Sequence, residues 1–153
     1  MPSVFERIEE KLNTAGIEFN VMHHEPVFTS EQAAAIRGVS LSSGAKALVV
    51  KAGDKFIMLV VPADRKLDSK KARTSLGVKA IRFATADEVL ELTSLKPGSI
   101  PPFGSLFNLP TYVDPALAEN PEINFNAGDH AISIRMSHEA FIKAETPAVA
   151  SIT

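Results

Sequence analysis

An α+β fold, a mixed and partly closed β-sheet surrounded by helices, is what this sequence predicts, on three observations. Helical and alternating apolar patterns are interleaved along the chain. Two short turns, Gly53-Asp54 and Gly128-Asp129, each separate apolar runs that read as hairpins, which excludes an all-parallel sheet. The chain has 153 residues, 45% hydrophobic and 22% charged, as expected of one domain over residues 1–153.

The elements follow in order. Ser3 and Glu6 have capping-box spacing, and Val4, Phe5, Ile8, Leu12 and Ala15 then keep a helical period up to Gly16. Ile17, Phe19 and Val21 alternate with Glu18 and Asn20, the pattern of a half-buried strand. Thr29 and Gln32 repeat the capping box before an alanine-rich helix that ends near Gly38. Apolar residues 45–52 and 56–61 form the first hairpin, and Pro62, which lacks an N–H, closes its second strand. Asp68 caps a short basic helix ending at Gly77. Residues 80–83 read as a strand, and Thr85 with Glu88 caps the next helix. Residues 96–110, rich in Gly and Pro, read as a long ordered loop, followed by a short strand at 111–113. Asp114-Pro115 is a cap followed by proline at the first helical position. Residues 123–126 and 131–136 make the second hairpin, and Ser137 caps a last helix carrying Phe141 and Ile142. The tail, 146–153, has no period and is expected to be loose.

Composition excludes several chemistries. Without cysteine there is no disulfide, thiolate metal site or thiol nucleophile. The longest apolar run, residues 56–61, is too short to cross a bilayer, and the first residues carry no basic-then-apolar leader. A cytoplasmic protein with no membrane contact is the expectation. The P-loop, G-x-G-x-x-G, H-E-x-x-H and G-x-S-x-G patterns are all missing. Adjacent His23 and His24 on a strand point to opposite faces and cannot chelate one ion together, so metal catalysis is not expected.

Net charge is −2, but it is unevenly spread. Residues 46–82 carry ten basic and three acidic groups, most densely at Arg65, Lys66, Lys70, Lys71 and Arg73. Such a segment either neutralises nucleic-acid phosphates or is a solvated helix face with Asp64 and Asp68 as partners.

Three places carry candidate chemistry. Lys46 opens an apolar strand, where an ammonium is either a snorkelling end group or an electrostatic clamp for an anion. The loop Pro97-Gly98-Ser99-Ile100-Pro101-Pro102-Phe103-Gly104 is stiffened by prolines and opened by glycines, so it either presents amides to a carbonyl or is a structural turn. His130, after Gly128-Asp129 at a hairpin end, is either a ligand contact or a surface histidine.

Six fragments in this order carry a family resemblance. They are His24-x-x-x-x-Thr29-x-x-x-Ala33, Lys46 at the strand start, Val60-Val61-Pro62-Ala63-Asp64, Gly98-x-x-x-Pro102, Tyr112-Val113-Asp114 and Gly128-x-His130. Over residues 24–141 the chain resembles the YbaK/aminoacyl-tRNA deacylase family, related to the editing domain of bacterial prolyl-tRNA synthetase. The resemblance implies hydrolysis, with no metal or organic cofactor, of the ester joining a wrong amino acid to tRNA. It implies a catalytic role for Lys46 and substrate contacts from Thr29, Gly98, Pro102, Phe103, Gly128 and His130. Ala47 stands where the alanine-clearing branch has asparagine, leaving cysteine, serine or threonine as candidate amino acids. The implied partners are mischarged tRNA, with Arg65, Lys66, Lys70, Lys71 and Arg73 on its backbone, and a prolyl-type synthetase. No recognition helix for sequence-specific DNA binding is present. The alternatives are a non-catalytic aminoacyl-tRNA-binding or synthetase-associated module, and a hydrolase of small esters.

Overall fold

The computed structural model describes residues 2–153. All three expected capping boxes form, at Ser3/Glu6, Thr29/Gln32 and Thr85/Glu88. They start α1 (Val4–Thr14), α2 (Ser30–Arg37) and α4 (Ala86–Thr93). Asp68 and Ser137 accept backbone N–H groups to start α3 (Ser69–Leu76) and α5 (His138–Glu145). Each cap satisfies a backbone donor that the first turn would otherwise leave open.

The strands are β1 (Asn20–His23), β2 (Ala45–Ala52), β3 (Lys55–Pro62), β4 (Ile81–Phe83), β5 (Thr111–Val113), β6 (Glu122–Asn126), β7 (Ile132–Ser137) and β8 (Ala148–Val149). They divide into an antiparallel sheet ordered β1-β7-β6 and a mixed sheet ordered β4-β2-β3-β5-β8. In the mixed sheet, β2 pairs antiparallel with β3 and β4, while β3-β5 and β5-β8 are parallel. The architecture is the α+β one expected, with a correction to its closure. The strands form two sheets joined at a parallel bridge between Gly44 and Asn124, and they do not close into a barrel.

The main core lies between the sheets, where Met58, Val60, Ile123, Phe125 and Ile134 meet Ile8 and Leu12 of α1 and Phe141 of α5. The opposite face of the mixed sheet buries Ile57, Leu59 and Val61 under Ala72 of α3 and Ile152. β3 is therefore buried on both faces, which explains why its apolar run is unbroken rather than alternating.

Two expectations need correction. The first strand begins later than the alternation implies: Ile17 and Phe19 pack on the core before it, and β1 itself is exposed. The tail is not loose. β8 pairs with β5, Ile152 is fully buried, and the amides of Ile152 and Thr153 donate to Asp114 Oδ2 at 2.9 and 3.0 Å. Asp114 was readable only as a local cap for Ala116 N–H, which its Oδ1 does serve at 2.8 Å.

Candidate functional site

β4 covers only Val50–Ala52 of β2. The first half of β2 thus borders open space instead of a neighbouring strand. A cleft of about 620 Å³ lies there, between that strand edge, α2, the 97–100 loop and β6. This volume suits a ligand of nucleoside size. Lys46 lines it, and its side chain is exposed. Arg65 and Lys66, just past the end of β3, line the same cleft, as do the acidic residues Glu31 and Asp64.

The loops predicted to build the rim converge. Asn126 Nδ2 donates to the Gly98 carbonyl at 2.7 Å, and Gly128 N–H donates to the Ser99 carbonyl at 2.8 Å. Val27 N–H donates to the His130 carbonyl at 3.0 Å. The His130 ring lies 4.9 Å, centroid to centroid, from Phe28, which is 72% exposed and lines the cleft. Gly98 has φ +93°, and a Cβ there would sit 3.4 Å from His130 Nε2. Any other residue would be strained by that φ, and its Cβ would touch the imidazole.

The remaining expected site residues lie elsewhere. Pro102 and Phe103 are buried and do not border the cleft. Phe103 is fully buried, edge-on to Phe125 and Phe141 at 5.6 and 5.5 Å, so it anchors the loop in the core. Gly128 faces α1: a Cβ there would lie 2.8 Å from Val4 Cβ, so it permits a close approach rather than contacting the cleft. Thr29 borders the cleft, but its hydroxyl accepts the Gln32 amide at 3.1 Å as the cap of α2. The basic segment is split. Arg65 is 3.8 Å from Glu119, and Lys71 Nζ donates to the Thr153 carbonyl at 2.9 Å, on the tail side of the sheet.

Sequence reasoning missed the polar floor. Arg37, from the last turn of α2, donates to Ser133 Oγ, Asn124 Oδ1 and Asn126 Oδ1 at 2.8, 2.9 and 2.9 Å. Burial pulls its guanidinium down to about 10. His24 Nε2 lies 2.7 Å from Ser133 Oγ, and Asn124 Nδ2 donates to Ser43 Oγ at 3.0 Å. The available signal was Asn124 and Asn126, two amides that share one face of the alternating strand β6 with Glu122. Among the described residues no group of three His, Asp or Glu could hold a metal ion, and no helix is long and apolar enough to cross a membrane.

The cleft, the lysine edge and the glycine rim can be set beside known proteins. Over 147 residues the chain is 33% identical to the multifunctional Ser/Thr-tRNA deacylase ProXp-y of Escherichia coli (strain K12), covering 93% of this chain and 88% of that protein. It is 28% identical over 125 residues to the proline–tRNA ligase of Bacillus subtilis (strain 168), covering 80% of this chain and 22% of the ligase. A crystal structure of a proposed trans-editing enzyme for prolyl tRNA synthetase superposes with a TM-score of 0.87 at 27% identity, over 100% of this chain and 98% of that one. The model of the aminoacyl-tRNA editing domain matches residues 24–144, most of the chain, and this protein belongs to that family.

Proposed function

We propose that the cleft hydrolyses the ester between a mischarged amino acid and the terminal adenosine of tRNA, as a trans-editing deacylase that uses no cofactor. The observation that carries this reading is the placement of Lys46. It stands on the uncovered edge of β2, in the same cleft as Gly98 and Phe28; His130 does not line the cleft but packs behind both, against the Phe28 ring.

Water attacks the ester carbonyl carbon, and the bond from that carbon to the ribose oxygen breaks. The water proton ends on the ribose oxygen, relayed by the neighbouring ribose hydroxyl. Free amino acid and uncharged tRNA leave. The ester is already activated, so the protein's work is to hold it and stabilise negative charge on the carbonyl oxygen. Lys46, an exposed residue of the cleft wall, acts as an electrostatic clamp for that charge. In the loop, the Ser99 amide is committed to the Lys96 carbonyl at 3.2 Å, leaving the Gly98 and Ile100 amides to position the substrate. His130, held by Phe28, fixes the terminal adenosine.

The relative of E. coli acts on Ser/Thr-tRNA by its name. Seryl- and threonyl-tRNA are therefore the first substrates to expect. Arg65, Lys66, Lys70 and Arg73 contact the acceptor stem. A prolyl-type synthetase is the proposed partner, because a similar segment lies inside a proline–tRNA ligase.

The test is a deacylation panel with tRNA charged with cysteine, alanine, serine, threonine or proline. The wild-type chain releases serine or threonine fastest, and Lys46→Ala is slower by about 10²–10³-fold. A folded Lys46→Ala protein that keeps the full rate refutes the assignment. Tight binding of charged tRNA without turnover makes the protein a binding module instead, and equal rates on free amino-acid esters make it a small-ester hydrolase.

A further inference from the structure

We propose that Arg37 is a phosphate-binding residue of the cleft, its two uncommitted N–H groups receiving oxygens of the terminal nucleotide's phosphate. This deepens the deacylase reading and rests on it for the identity of the nucleotide.

A guanidinium carries five N–H donors. In Arg37, Nε donates to Ser133 Oγ, Nη1 to Asn124 Oδ1 and Nη2 to Asn126 Oδ1. Two N–H groups remain, one on each terminal nitrogen. Every acceptor in this cage is neutral. The ion pairs among the described residues are Arg65–Glu119 and Arg82–Glu88, and neither involves Arg37. Its place in the last turn of α2 supplies only the partial negative charge of a helix end. Burial has meanwhile lowered its pKa, the mark of a cation that has lost water without gaining a counter-ion.

A half-buried charge with no opposite charge is costly, so its partner is expected to arrive from outside. Arg37 borders the cleft, which gives that partner a route. The anion can be named from the substrate's chemistry. In an aminoacyl-tRNA the amino acid carboxyl is esterified, so the full negative charges are all phosphates. The three internal bonds hold the guanidinium plane fixed, and a fixed fork matches two phosphate oxygens with little loss of side-chain freedom. Lys46, Arg65 and Lys66 border the same cleft against Glu31 and Asp64, so its wall carries net positive charge.

The experiment compares adenosine 5′-monophosphate (AMP), adenosine and inorganic phosphate by calorimetric titration at low salt. Wild-type protein binds AMP about 10- to 100-fold more tightly than adenosine, and inorganic phosphate more weakly than AMP. Arg37→Met removes the AMP preference and leaves adenosine affinity unchanged; Arg37→Lys restores only part of it. Equal affinities of wild type for AMP and adenosine overturn the proposal, as does a preference that survives in Arg37→Met. Equal affinities for AMP and inorganic phosphate overturn the placement of a nucleotide there.

Because Arg37→Met removes three internal hydrogen bonds, a measurement on the unaltered chain accompanies it. With ¹⁵N-labelled arginine, the Arg37 side-chain signals shift on AMP addition and saturate at the calorimetric Kd. Signals that stay still while AMP binds assign the phosphate to another cation and overturn the proposal. None of these readouts uses turnover. An AMP preference without deacylation refutes the ester chemistry alone, and deacylation without the preference refutes the Arg37 site alone.

Discussion

Around β5 and the tail, every buried acid is fully engaged, whereas beside the cleft Arg37 and Lys46 are left without a counter-charge. Glu145 accepts from Ser105 N–H, Ser105 Oγ and Thr111 Oγ1 at 3.0, 2.6 and 2.8 Å. Asp114 accepts from Ala116, Ile152 and Thr153. Arg37 meets only neutral oxygens, and the exposed Lys46 takes part in neither ion pair among the described residues. Aromatic rings divide in the same way: Phe103 is fully buried, while Phe28 is 72% exposed. Charges and rings whose valences are filled hold the fold, and those left unfilled are available to a ligand.

The largest expected effect tests the rings. Phe103→Ala empties a site packed against Phe125 and Phe141 and should cost about 3–5 kcal/mol of stability in urea unfolding. Phe28→Ala should stay within about 0.5 kcal/mol and instead raise KM for charged tRNA. Equal stability losses would erase the distinction between the two regions.

Next come the charges. Glu145→Ala removes an acceptor of three hydrogen bonds, itself 8% exposed, and should cost about 3 kcal/mol. Arg37→Met removes an uncompensated cation but also strands the oxygens it served, two of them on residues only 3% exposed, so it should cost about 1–2 kcal/mol, less than Glu145→Ala. If thermal unfolding shows Arg37→Met to be the more damaging, Arg37 is a structural residue and the comparison fails.

Local signals in the sequence were legible and long-range ones were not. Each capping box depends on residues three apart, and all three form. Lys46 was visible because a lone cation at the head of an apolar strand is out of pattern. Arg37 was not visible, because a basic residue in the last turn of a helix is ordinary there. Only folding brings it to Asn124 and Asn126, nearly ninety residues away. Phe103 was misplaced for a related reason: glycine and proline mark an irregular backbone but do not say which of its side chains turn inward.

A smaller effect concerns pH and Asp114. Burial pushes its carboxyl up, but donors from Ile152, Ala116 and Thr153 outweigh that and hold it below the ordinary aspartate value. A group lowered on folding stabilises fully above its unfolded pKa, about 3.9, and the stabilisation is lost as pH falls through the lower folded value. The tail should therefore stay docked at pH 5 and loosen progressively below about pH 4. Hydrogen exchange at the Ile152 and Thr153 amides reads this directly. Protection that is independent of pH and survives Asp114→Asn would exclude Asp114 as the anchor.

The smallest effect separates lysines that sit close in sequence. Lys66 borders the cleft, and Lys70 is exposed on α3. Lys71, one residue on, already donates to the Thr153 carbonyl at 2.9 Å and so belongs to the closed region. A lysine that neutralises one phosphate adds about 1 to the slope of log affinity against log salt, and removing its charge takes that increment away. Neutralising Lys66 and Lys70 together should therefore flatten the slope for tRNA binding by about 2, with a uniform loss of affinity across tRNA sequences. Lys71→Ala should leave the slope unchanged and loosen the tail. A slope that drops as much for Lys71→Ala as for Lys66→Ala would place the tRNA backbone across the tail side of the sheet, and the division between open and closed charges would have to be redrawn there.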